Sequence, residues 1–262
     1  MQYVFSFASW QSHANVGLVH RWLYEKVGIL HRDLSINNIM YRRIDGKVYG
    51  VLTDFDLSSW TASLTSDYTS TSQQRTGTPP YMAHGLLKGT DSLHLYRHDV
   101  ESLFYIMLIL AAHHEIHVPQ SEMEKGGVRM RRGLEVLPYE EWFDQKSYKS
   151  LGSDKYDFLK NAEEFNLSPD FEDFQDWIES LHWSFQKGLL ALDVHKDILR
   201  GQKRSKKGRS GGVVTPQFDN ETLGGHVCYS ALIDSARDLG GRLEGLVVRY
   251  DPTSAGVTEA SV

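Results

Sequence analysis

His31-Arg32-Asp33 is followed by Asn38, and Asp54-Phe55-Asp56 comes sixteen residues further on. An aspartate with an asparagine five residues later, then a second aspartate ahead of a phenylalanine, is the spacing by which phosphoryl-transfer enzymes place one base and two magnesium ligands. Asp33 would accept the proton of an attacking hydroxyl, while Asn38 and Asp54 would hold Mg²⁺ against phosphate. The types suit the task, because this chemistry is mostly positioning and charge neutralisation.

The elements around these residues can be read from periodicity and turn chemistry. Residues 13–28 predict a helix, since Val16, Val19, Leu23 and Val27 recur at three- and four-residue steps and Gly28 stands at its end. Strands are expected over Ile39–Arg42 and Val48–Thr53, joined by a turn over residues 43–47 that contains Asp45-Gly46. Residues 58–76 are rich in Ser and Thr and read as a loop with little to bury. From His98 to Ala112 the chain is apolar on all sides, which predicts a central buried helix. Ser168-Pro169-Asp170 predicts a helix start, and Phe174, Trp177, Ile178, Leu181 and Phe185 form one apolar stripe beyond it.

Composition bounds the rest. The chain has 262 residues, 40% hydrophobic residues and a net charge of −6, which suits an ordinary globular core and does not suggest nucleic-acid binding. Cys228 is the one cysteine; it excludes an internal disulfide, fits an intracellular compartment, cytoplasmic or nuclear, and reads as a small buried apolar residue. Met1 to Trp10 carries no positive charge ahead of its apolar stretch, and the longest apolar run, Leu103 to Ala112, is about half the ~20 residues of a membrane span. A soluble protein is expected. No cysteine or acidic cluster accompanies His113, His114 and His117 at ligand spacing, so a solvated helix end is expected there rather than a metal site. Lys203, Arg204, Lys206, Lys207 and Arg209 fit either a solvated flexible linker or a nuclear localisation signal.

Five features in order, the His31–Asp33 triplet, Asn38, Asp54-Phe55, the segment Gly77-Thr78-Pro79-Pro80-Tyr81-Met82-Ala83 and Asp99, resemble the C-terminal lobe of a eukaryotic-type protein kinase. His31 to Met40, Asp54 to Asp56, Arg97 to Ser102 and Leu223-Gly224-Gly225-His226 look more closely like the fungal-type protein kinase family. The resemblance implies a mainly α-helical fold with short β-hairpins, a kinase C-terminal lobe over residues 1–200. A basic linker over 201–212, a family extension over 213–254 and a disordered tail over 255–262 would follow. It implies ATP and Mg²⁺ as cofactors and Ser/Thr hydroxyls of proteins as acceptors. Asp33 would be the base, Asn38 and Asp54 the metal ligands, and Thr78 a partner of Asp33 in the peptide shelf. Ile39 and Met40 would form the floor under adenine, Phe55 would pack on His31, and Asp99 would anchor the backbone of His31 and Arg32. Arg32 could order the loop after Asp56 through a phosphate on Thr69, Ser70, Thr71 or Ser72.

Departures from the pattern modify these expectations. Ser35 stands where Ser/Thr kinases carry a lysine. Gly85 stands where they carry a glutamate, which predicts a lost buried ion pair and, where an arginine is orphaned by it, a looser segment. No glycine loop and no strand lysine of the kinase type occurs, and only 30 residues precede His31, fewer than the upper β lobe needs. The sequence therefore predicts a lobe lacking most or all of its upper partner, with Met40 and Phe55 exposed to a protein partner. A kinase-like binding module with little turnover is the alternative function; a small-molecule phosphotransferase is disfavoured by the Thr78–Ala83 shelf.

Overall fold

The computed structural model describes residues 16–45, 47–61, 77–117, 127–134, 136–144, 147–161, 164–205 and 217–231. It is helix-rich with short two-stranded sheets, as the sequence predicts. Helix α1 runs over residues 16–22 and widens into a π-helical turn, Leu23–Val27. Gly28 closes it in the left-handed region (φ 76°), donating its N–H to the Leu23 carbonyl. Strand β1 (Ile29–Leu30) pairs antiparallel with β4 (Ser59–Trp60), so the expected loop at 58–76 begins with a strand; residues 62–76 lie outside the described residues.

Strands β2 (Ile39–Ile44) and β3 (Lys47–Leu52) form a hairpin whose ladder reaches the Ile44–Lys47 pair. The turn therefore shrinks from five expected positions to two. Asp45 takes φ 50°, the conformation an Asp-Gly turn of this length requires. Its last pair, Ile39–Leu52, is buried, and the Asn38 carbonyl accepts the Thr53 N–H just beyond it.

Helix α2 (His84–Lys88) is followed by α3 (Tyr96–His113), which is buried along its whole length. Phe104 stands against Phe158 and Phe185, and Tyr105 lies edge-on to Trp142. The remaining elements, β5 (His114–His117), β6 (Gly127–Met130), α4 (Tyr148–Asn161) and α5 (Gln175–Ser205), surround it. His113 is buried with its ring on the Pro138 carbonyl, and His114 is half-buried with its ring on the Leu110 carbonyl. This pair is thus structural, not the solvated helix end expected. The stripe Phe174, Trp177, Ile178, Leu181 and Phe185 is buried, though the chain enters α5 through a 3₁₀ turn, Pro169–Phe174.

Helix α5 continues through Ser205, so the first residues of the expected linker are helical; residues 206–216 and the tail lie outside the described residues. Residues 217–231 return onto α5: a Cβ at Gly188 would meet Leu223 at 2.8 Å, and His195 stacks on Phe218. Cys228 is half-buried rather than buried, its Sγ 3.0 Å from the Ser230 hydroxyl. Among the described residues no helix is long and apolar enough to cross a membrane.

Candidate active site

Asp99, in the first turn of α3, lies at the base of the site. Its Oδ2 accepts the His31 N–H at 3.0 Å, and both oxygens accept the Arg32 N–H, at 3.2 and 3.3 Å. His20 from α1 donates Nε2–H to Oδ2 and His94 donates Nε2–H to Oδ1, each at 2.7 Å. Burial alone would raise the pKa of this carboxyl, but the two imidazoles outweigh it and hold Asp99 well below the usual carboxylate range. The hub matters because Arg32 is in the left-handed region (φ 71°), a conformation that costs an arginine ~1–2 kcal/mol and needs external fixing. The expectation for Asp99 is met, and two histidines that no spacing rule indicated complete it.

Asp33 follows directly. Its Oδ1 accepts the Thr78 hydroxyl at 2.9 Å, and the Asn38 amide donates to the Asp33 carbonyl at 2.9 Å and to Oδ2 at 3.4 Å. Asn38 is held in turn by a 3₁₀ turn (Ile36–Asn38), with its N–H on the Ser35 carbonyl at 3.1 Å. Three residues distant in sequence thus share one hydrogen-bonded set. Ser35 is buried beneath it.

The third acidic position enters through Thr53. Thr53 donates N–H and hydroxyl to the Asn38 carbonyl at 3.0 and 3.2 Å, while its own carbonyl takes the His31 Nε2–H at 3.0 Å. The same His31 accepts the Asp33 N–H weakly at Nδ1, 3.4 Å, so the ring is neutral, and burial lowers its pKa accordingly. Asp54 comes next, exposed and left-handed (φ 62°), and Phe55 packs on His31 in a tilted arrangement with centroids 4.9 Å apart. Strand parity separates the two expected floor residues. Met40 is 51% exposed, whereas Ile39 is 7% exposed and packs into the core, so Ile39 cannot offer its side chain to a ligand. Arg32 is buried, and the four phosphate-acceptor candidates lie outside the described residues.

Gly85 is closed in by the Asp91 side chain. A Cβ there would lie 1.9 Å from Oδ2 of Asp91, and that carboxylate pairs with Arg97 Nη2 at 2.8 Å and His98 Nε2 at 2.9 Å. Asp91 occupies the space a larger residue would fill and carries an ion pair of its own with Arg97. His98 accepts the Leu95 N–H at Nδ1, and burial takes its pKa down to about 4, so it donates from Nε2 as a neutral ring. Glu101, fully buried, binds the His84 N–H at 2.7 Å, the His84 ring at 3.0 Å and the Tyr105 hydroxyl at 2.8 Å.

A family model for fungal protein kinases matches residues 17–111. That segment is similar to the family. It runs from α1 to near the end of α3 and contains every residue of the site described above, so this part of the chain is kinase-like. The solved structures that are similar include the kinase PK-1 of Cydia pomonella granulovirus, at 16% identity and a TM-score of 0.31. The alignment covers 46% of this chain and 41% of that one, so the chain spans less than half of that kinase's length. No curated protein matches.

Proposed function

We propose that the kinase-like segment and the helices packed on it act as the C-terminal lobe of a protein kinase, moving the γ-phosphoryl group of ATP to a Ser or Thr hydroxyl of a protein. The observation that carries this reading is the placement of Asp33, whose carboxylate is held by Thr78 at 2.9 Å and steadied by the Asn38 amide. A carboxylate fixed this way, beside a shelf for an extended peptide, can take the proton of an incoming hydroxyl. The acceptor oxygen then bonds to the γ-phosphorus, and the bond to the β–γ bridging oxygen breaks with its electron pair leaving on ADP.

Asn38 and Asp54 suit Mg²⁺, because both offer hard oxygen donors and Asn38 commits its amide nitrogen to Asp33, which leaves Oδ1 for a cation. Mg²⁺ would supply charge neutralisation at the phosphates. Met40 would contact adenine. The test is phosphotransfer from labelled ATP to Ser- and Thr-containing peptides, with Asp33→Asn as the control. Loss of transfer in the variant is expected, and equal transfer by both proteins rejects the reading.

Exposure of Met40 (51%) and Phe55 (38%), with Leu57 and Trp60 also exposed, favours a second reading in which this face binds a protein partner and turnover is slight. Clear thermal stabilisation by sub-millimolar Mg·ATP counts against it, since a ligand that binds only the folded state raises apparent stability.

A further inference from the structure

Beneath the shelf lies a lysine that the chemistry above does not use. Lys155, on α4, is 0% exposed. Its Nζ reaches the carbonyls of Pro80 at 2.7 Å, Met82 at 2.8 Å and Pro79 at 3.3 Å. The same ammonium lies over the Tyr105 ring at 4.0 Å and the Trp142 ring at 5.1 Å. Gly152 stands one turn earlier on the same helix face; a Cβ there would be 2.9 Å from the His84 carbonyl, so α4 can press against α2 only because that side chain is absent.

Burial draws the pKa of Lys155 well below the ordinary lysine value, and Glu101 works against that. Three converging carbonyls match the three donors of an ammonium; a neutral amine would turn its lone pair on one of them. A cation buried among carbonyls and rings is a costly way to fill a core, and an apolar chain of similar length would fill the site at less cost. What an apolar chain cannot do is fix the backbone of residues 79–82. That turn carries Thr78, whose carbonyl accepts the Tyr81 and Met82 N–H groups and whose hydroxyl holds Asp33.

We propose that Lys155 is a positioning residue for the acceptor substrate: it locks the turn at 79–82 so that Thr78 stays on Asp33 and the shelf presents a fixed surface to a peptide. This rests on the phosphotransfer reading above. The full chain, Lys155→Met and Lys155→Arg are compared by thermal unfolding, by hydrogen exchange of residues 77–83, and by peptide KM and kcat. In Lys155→Met the unfolding midpoint should stay level or rise, exchange at 77–83 should quicken at least tenfold, and peptide KM should rise severalfold at constant KM for ATP. Lys155→Arg, which keeps a cation and its donors, should restore most of the protection. A lowered midpoint with exchange faster throughout the protein would make Lys155 an ordinary core residue and overturn the proposal. So would unchanged exchange and KM in Lys155→Met while the parent protein transfers phosphate. No transfer by the parent protein would instead sink the phosphotransfer reading, and the substrate role with it.

Discussion

Asp99→Asn removes a charge and exchanges one carboxylate oxygen for an NH₂ group at a point where four N–H donors meet. His20 donates to Oδ2 and His94 to Oδ1. Whichever oxygen becomes nitrogen, one imidazole N–H then faces an amide N–H. Turning His20 over is opposed, because its Nδ1 is already bonded to the Tyr229 hydroxyl. A hydrogen bond to a charged group contributes ~1.5–3 kcal/mol, and a buried donor left without an acceptor costs ~1–3 kcal/mol. The left-handed backbone of Arg32 also loses part of the anchor that fixes it. Together these give a loss of ~3–5 kcal/mol, the range found for breaking a buried charged pair, out of a total stability of ~5–15 kcal/mol. With a urea slope of ~2–3 kcal/mol per molar, the unfolding midpoint should fall by ~1–2.5 M. Equilibrium urea unfolding at neutral pH, followed by tryptophan fluorescence, measures it. A shift under ~0.3 M would mean that the four contacts are offset by the cost of burying the charge, and the account of the hub would be wrong.

Gly85→Ala should lower stability by ~2–4 kcal/mol, because its methyl group needs the space of the Asp91 carboxylate and its displacement strands Arg97 and His98; thermal unfolding tests this. A result near zero would show that Asp91 can move aside freely. Glu101 should make the fold acid-sensitive: burial pushes its pKa up, but His84 outweighs that and brings it from 4.5 to about 2. Since the folded value lies below the unfolded one, its contribution of ~3 kcal/mol is whole above about pH 4.5 and disappears as pH falls towards 2. Urea midpoints across that window should fall less steeply for Glu101→Gln than for the parent chain.

The catalytic-type loop was legible because its geometry is local. A 3₁₀ turn, Ile36–Asn38, brings Asn38 back onto Asp33 five residues earlier, and His31, bonded to the Thr53 carbonyl, packs against Phe55. Asp99 was legible as an anchor, but its two histidines were not, since His20 reaches it across 79 residues without any periodic signal. What surrounds Gly85 was illegible for the same reason. The carboxylate sits six residues later, and only the packed structure brings Asp91 into the empty space. Ile39 and Met40 were treated alike although alternation along a strand allows only one of them to face outward. The basic segment after Gly201 looked like a linker by composition, yet Gln202, Lys203 and Arg204 are good helix formers and prolong α5. Lys155 gave no signal at all, because a lysine on an amphipathic helix ordinarily faces water.

Tyr229 bonds to His20 through its hydroxyl and to the Tyr96 hydroxyl through its N–H, at 2.6 Å. The tether of the Asp33 loop is therefore finished by residues that leave the ribosome late. Fixing of the reactive loop is thus coupled, through His20 and Asp99, to a segment 209 residues further along the chain.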